Sequence, residues 1–148
     1  MIWKNICCLL LLPVMLSSCS LPVDTDLAEL AVADFHDRYN RAAFKAIHKA
    51  ANPDFKKFIS QDKFSLLLGR LHSGLGQHKS SSLANWTAEN SIREGATITL
   101  TYDAIYEKDD TVRESFTFKV KDGIARLYNF NVSSEVLSKN RNSKATKS

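Results

Sequence analysis

The hydrophobic period of this chain changes once, from 3.6 residues to 2, and that change limits the fold more than any other feature. In the first half, Asp24-Thr25-Asp26 supplies cap-type residues before a helical pattern. Leu27, Ala28, Ala31, Val32, Phe35, Tyr39 and Ala42 then fall in one arc of a helical wheel, with Asp26, Glu29, Asp34, His36 and Asp37 largely opposite. A second helical piece is expected from about Arg41 to Ala50, ended by Asn52-Pro53-Asp54, with Phe55 and Phe58 in a short turn. Ser60 is placed to cap a further helix with Phe64, Leu67, Leu68 and Leu71 on one face. Gly74 is expected to end it, leaving His72-Ser73-Gly74-Leu75-Gly76 as a loop.

In the second half the pattern alternates. Ile98, Leu100, Tyr102, Ala104 and Tyr106 alternate with Thr97, Thr99, Thr101 and Asp103, as in a half-buried strand. Lys108-Asp109-Asp110 turns the chain, and Val112, Phe116, Phe118 and Val120 alternate with Arg113, Ser115, Thr117 and Lys119. Lys121-Asp122-Gly123 makes the next turn, and Ile124, Arg126, Tyr128, Phe130 and Val132 are read as one face of a last strand. An earlier strand is expected over Ser81 to Ser91, around Trp86, joined to the next by Arg93-Glu94-Gly95. Helices followed by about four antiparallel strands make an α+β fold, with the helices packed on one face of a curved sheet. The domain spans residues 24–137, and no internal repeat is visible.

This order resembles the cystatin-like/NTF2-like superfamily, in which a long N-terminal helix is wrapped by a curved sheet. More narrowly it is similar to small bacterial lipoproteins with that fold. The residues that carry the resemblance are Phe64 through Gly76 (FSLLLGRLHSGLG), Ala96 to Tyr106 (ATITLTYDAIY), Glu114 to Lys119 (ESFTFK) and Leu127 to Leu137 (LYNFNVSSEVL).

Residues 1–18 read as an address. Lys4 precedes an apolar run from Ile6 to Leu16, of the length of a signal-peptide core and too short to cross a bilayer. The run ends in Leu16-Ser17-Ser18-Cys19, which resembles the bacterial lipoprotein signal: an aliphatic residue, two small residues that fit the peptidase cleft, and a cysteine whose thiol takes diacylglycerol. The alternative is an ordinary secretory signal with a chance cysteine. In the lipoprotein reading Cys7 and Cys8 leave with the signal and Cys19 becomes a thioether. The mature chain then has no free thiol, no disulfide and no cysteine for zinc or catalysis. Two or three acyl chains anchor firmly where one binds reversibly, since each buried CH₂ contributes about 0.8 kcal/mol. Ser20 is not the aspartate that retains lipoproteins of enteric-type bacteria in the inner membrane, so the resemblance implies an outer-membrane anchor facing the periplasm, with residues 19–23 as a short tether.

The formal net charge of +4 is concentrated outside the domain. Lys4 lies in the signal, and the tail Ser138–Ser148 carries Lys139, Arg141, Lys144 and Lys147 with no acid, as expected of a basic, disordered end. Without these the body is near neutral, which argues against a nucleic-acid surface.

The motifs of chemistry are sparse. His36, His48, His72 and His78 make no HExxH or HxH, His72 and His78 are expected at an exposed loop, and no metal site is expected. There is no GxSxG elbow and no phosphate-binding glycine loop, so neither a catalytic set nor a cofactor site is assigned. Folds of the resembled superfamily sometimes host isomerases or dehydratases, with an Asp or His in an apolar pocket; Asp103 is the best candidate here. A solvated strand carboxylate is the plainer reading of it, because it shares a phase with Thr99 and Thr101. Tyr102, Tyr106, Phe116, Phe118, Tyr128 and Phe130 are read as core before pocket lining. Asn85-Trp86-Thr87 and Asn131-Val132-Ser133 match a glycosylation pattern by chance. The expected function is a lipid-anchored envelope protein that binds a protein, peptide or small apolar ligand. An isomerase-type enzyme and an inhibitor or immunity lipoprotein are the alternatives.

Overall fold

The computed structural model describes residues 25–139 apart from 92 and 94. The signal, Cys19, the tether, Asp24, Glu94 and tail residues 140–148 lie outside the described residues. Four helices precede four strands: α1 (Asp26–Asn40), α2 (Phe44–Ala50), α3 (Pro53–Phe58), α4 (Gln61–Leu75), β1 (His78–Ser91), β2 (Gly95–Tyr106), β3 (Val112–Lys121) and β4 (Ile124–Ser133). The strands form one antiparallel sheet in the order β1-β2-β3-β4, so the fold is α+β, as the change of period requires.

Local chemistry sets most of the boundaries. Thr25 precedes α1 without a side-chain cap to the backbone. Its hydroxyl donates instead to Glu29 Oε1 at 3.2 Å. Asp26 and Glu29 in the first turn suit the positive end of the helix dipole. The pattern continued through Ala42, but the helix stops at Asn40, and Ala42 takes a positive φ of 54°. That break delays α2 from the expected Arg41 to Phe44. Asn52 Oδ1 accepts from Asp54 N at 2.9 Å, and Pro53 opens α3, where its missing N–H costs nothing. Ser60 caps α4 as expected, its Oγ accepting from Lys63 N at 3.4 Å. The helix passes through Gly74 and ends at Gly76, φ 77°, so the expected five-residue loop is in fact the last helical turn. Gly76 is required twice: its φ is left-handed, and a Cβ there would lie 2.5 Å from Glu107 Oε2.

The helix-facing side of the sheet is built by register. Ile98 pairs with Phe118, Leu100 with Phe116, Tyr102 with Glu114 and Ala104 with Val112. Against this face α1 lays Ala28, Val32, Phe35 and Tyr39, all buried. Phe35 sits 4.9 Å from the Phe130 ring and 5.1 Å from that of Phe116. Phe55, Phe64, Leu68, Leu71 and Leu75 extend the same core under α3 and α4. Leu67, expected on the buried face of α4, is 42% exposed.

The last strand departs from the expected single face. Thr117 pairs with Asn129 and Phe118 with Leu127, so Tyr128 is an extra residue at a β-bulge. The bulge reverses the alternation. Leu127 turns inward and is buried, Tyr128 is 38% exposed, and Phe130 and Val132 face the core on the far side. Tyr128 therefore leaves the aromatic core set, and its ring takes Lys119 Nζ at 4.7 Å instead.

β1 begins at His78, three residues earlier than expected, and forms an edge of the sheet. Leu83 lies opposite Tyr102 and Trp86 opposite Leu100, which puts both on the side of the helices. They are nonetheless 40% and 50% exposed, because α1 meets this strand at its start, where His78 stacks on His36, and leaves Leu83 and Trp86 uncovered. Ser138 and Lys139, assigned to the tail, belong to a helical turn after β4, with Ser138 N donating to Ser134 O at 3.1 Å. None of the helices among the described residues is long and apolar enough to cross a membrane.

Candidate functional site

The most unusual chemistry lies in the core, where α1, β1 and β3 meet. Glu114 is fully buried, although glutamate is among the residues least often found there unless paired. It is in phase with Val112, Phe116 and Phe118 on β3, so the alternation that buries those side chains buries the carboxylate too. Both of its oxygens are engaged. Oε1 accepts from the Tyr106 hydroxyl at 2.5 Å, and Oε2 lies 3.0 Å from His36 Nε2.

His36 is buried, contrary to its placement on the polar arc of α1. It follows Val32 by four residues and precedes Tyr39 by three, and that spacing keeps it on the helix face turned to the sheet. The His78 imidazole stacks on it, 3.6 Å between centroids and 6° between planes. The Tyr106 ring closes the group edge-on to both His78 and Tyr39. Asn40 clamps the backbone of His78, accepting from its N at 2.8 Å and donating to its O at 2.9 Å. His78 is thus half-buried, not loop-exposed, and its Nε2 is buried without a hydrogen-bond partner. A nitrogen of His36, a nitrogen of His78 and a carboxylate oxygen of Glu114 all fall within 4.8 Å of one another.

The surroundings disfavour added charge. Burial first, then the neighbouring His36, lower the His78 pKa to about 4 against the opposing pull of Glu114. Burial and the Glu114 carboxylate push the hydroxyls of Tyr39 and Tyr106 well above the ordinary tyrosine range. Tyr106 and His36 therefore hold the Glu114 carboxyl group directly, with the neutral His78 imidazole stacked on His36 and the Tyr39 hydroxyl turned away to Gly76 O.

The remaining histidines serve packing. His48 Nε2 meets Ile59 O at 2.8 Å. His72, also half-buried and not exposed as expected, packs on Tyr39 and Phe44. Asp103 lies on the opposite face of the sheet, exposed, accepting from Arg113 Nη2 at 2.7 Å and Nε at 2.9 Å. A shallow cleft opens elsewhere between α1, α2 and β4, lined by Ala31, Phe35, Ile47, Phe118 and Leu127, with Asp34 and Arg38 paired at 2.9 Å beside them.

Of these groups, sequence reading reached Asp103 and the aromatic core but missed Glu114. Its signal was present, as an acidic residue in core phase between Val112 and Phe116. No signal in the sequence joins His36 to His78, because strand register and helix placement bring them together. No protein-family model matches the chain, and no curated protein matches it.

Proposed function

We propose that this chain is a lipid-anchored protein of the bacterial cell envelope, held in the outer membrane through Cys19 and facing the periplasm. Its domain, on this reading a cystatin-like/NTF2-like one, binds a protein, peptide or small apolar ligand. The anchor rests on Leu16-Ser17-Ser18-Cys19 at the end of an apolar run. The binding reading is carried by one observation: the sheet face is filled where the helices cover it and open at β1. Phe116 and Leu100 are fully buried and Phe118 is 2% exposed, whereas Leu83 and Trp86 stand uncovered on the same side. Large apolar side chains grouped on an exposed strand favour recognition of a partner.

The isomerase-type alternative loses the residue it rested on, because Asp103 is solvent-facing and paired with Arg113. Glu114, the buried carboxylate, is enclosed by Tyr106 and His36 and not by an open apolar pocket.

The test is photo-crosslinking in intact envelopes from an unnatural amino acid placed at Trp86, with Tyr128, exposed at the bulge of β4 on the opposite edge of the sheet, as the control position. A discrete adduct at Trp86 and none at Tyr128 is expected. Equal adducts at both positions, or none at Trp86, would refute binding at β1. Repeating the capture with Cys19→Ser shows whether the anchor is needed to meet the partner.

A further inference from the structure

We propose that His36, His78 and Glu114 bind one divalent transition-metal ion of the zinc class, tying α1, β1 and β3 together at the centre of the domain. The donor set is two imidazole nitrogens and one carboxylate oxygen, the chemistry that borderline ions such as Zn²⁺ prefer. The three side chains come from three elements, and their donor atoms already lie within 4.8 Å of one another. Two of the three, His36 and Glu114, are more than nine-tenths buried. Buried carboxylates and imidazoles are costly unless paired or bound to metal.

A second observation points the same way. His78 Nε2, like His72 Nε2, is buried with no hydrogen-bond partner, and of the two only His78 belongs to a three-donor group among the described residues, where a ligand bond would satisfy it. The groups around the donors are those that orient metal ligands. The Tyr106 hydroxyl fixes Glu114 through Oε1 and leaves Oε2 facing His36. Asn40 fixes the backbone that carries His78.

Binding requires a defined rearrangement. Donors about 2.0–2.1 Å from a tetrahedral ion lie about 3.3 Å apart, so the triad must contract. One ion cannot lie in the planes of two parallel rings 3.6 Å apart, so the His36–His78 stack must open. His78 is the side chain free to do this. It is half-buried, begins β1, and adjoins a register irregularity between His78 and Ser80. The same position gives an ion its way in from solvent.

The experiment uses the full chain in detergent, with its cysteine thiols alkylated, titrated with Zn²⁺ or Co²⁺. One equivalent of Zn²⁺ is expected to bind and to raise Tm by several degrees. The Co²⁺ adduct is expected to show hyperfine-shifted, exchangeable N–H signals from two imidazoles. His78→Ala is expected to weaken binding at least about tenfold. His72→Ala, at the other half-buried histidine, is expected to leave it unchanged. No stoichiometric uptake by the wild-type chain, a Co²⁺ adduct without two imidazole signals, or affinity unaltered in His78→Ala would each overturn the assignment. The cobalt spectrum of the wild-type chain decides the matter even if a variant does not fold.

Discussion

Replacing Phe35 by alanine tests whether α1 belongs to the core that holds the sheet. Phe35 is 3% exposed, and its ring lies 5.1 Å from Phe116 at 74° and 4.9 Å from Phe130 at 43°. Truncation removes a buried aromatic side chain, worth about 1.5–3 kcal/mol by transfer alone. It also removes two close aromatic contacts of about 0.5–1.5 kcal/mol each beyond their area. The hole forms where helix meets sheet and can collapse only in part, so the combined cost is about 3–5 kcal/mol. With a urea slope of about 1–3 kcal/mol/M, the unfolding midpoint should fall by roughly 2 M. Far-ultraviolet circular dichroism of the chain from residue 20 onward is the suitable probe, because Trp86 is half exposed and reports the core poorly. Leu66→Ala is the control, since Leu66 is 57% exposed on α4 and should cost no more than about 0.5 kcal/mol. A Phe35→Ala midpoint within about 0.3 M of wild type would mean that α1 does not pack on the sheet as described.

Three further outcomes are expected. Asp109 accepts from Thr111 N at 2.9 Å and from the Thr111 hydroxyl at 2.8 Å, and also from the Ser134 hydroxyl and Val136 N. Burial alone would raise its pKa, but these hydrogen bonds outweigh it and hold the carboxyl at about 2, below the ordinary 3.8. Its contribution is therefore fully present above about pH 4 and is lost as pH falls toward 2, so the Tm gap between wild type and Asp109→Asn should shrink across that window; a gap that stays constant would contradict this. Gly76→Ala forces a Cβ into Glu107 at a φ of 77° and should cost at least about 1–2 kcal/mol in a urea melt, whereas Gly123→Ala, with no heavy atom within 4 Å of its added Cβ, should cost only the backbone term of about 1 kcal/mol. Cys19→Ser should abolish palmitate labelling and release the protein from membranes, and an unlabelled wild-type chain would sink the lipoprotein reading.

The class of the fold was legible along the chain, through one physical cause. A helix repeats its buried face every 3.6 residues and a strand every 2, so Val32-Phe35-Tyr39 and Ile98-Leu100-Tyr102 each declare their element locally. Turns were legible for the same reason. Asp122 and Gly123, at φ 54° and 71°, tolerate the left-handed conformation that a two-residue hairpin needs. Other features follow from packing, which periodicity cannot carry. The bulge at Tyr128 inserts one residue and exchanges the faces of β4, a change invisible in an alternating pattern that runs through it. The exposure of Leu83 and Trp86 depends on how far the helix layer reaches, which no residue of β1 encodes. The triad depends on it most. His36 and Glu114 are 78 positions apart in the chain, and only the packing of α1 on β3, with β1 beside them, brings their side chains and that of His78 into one place.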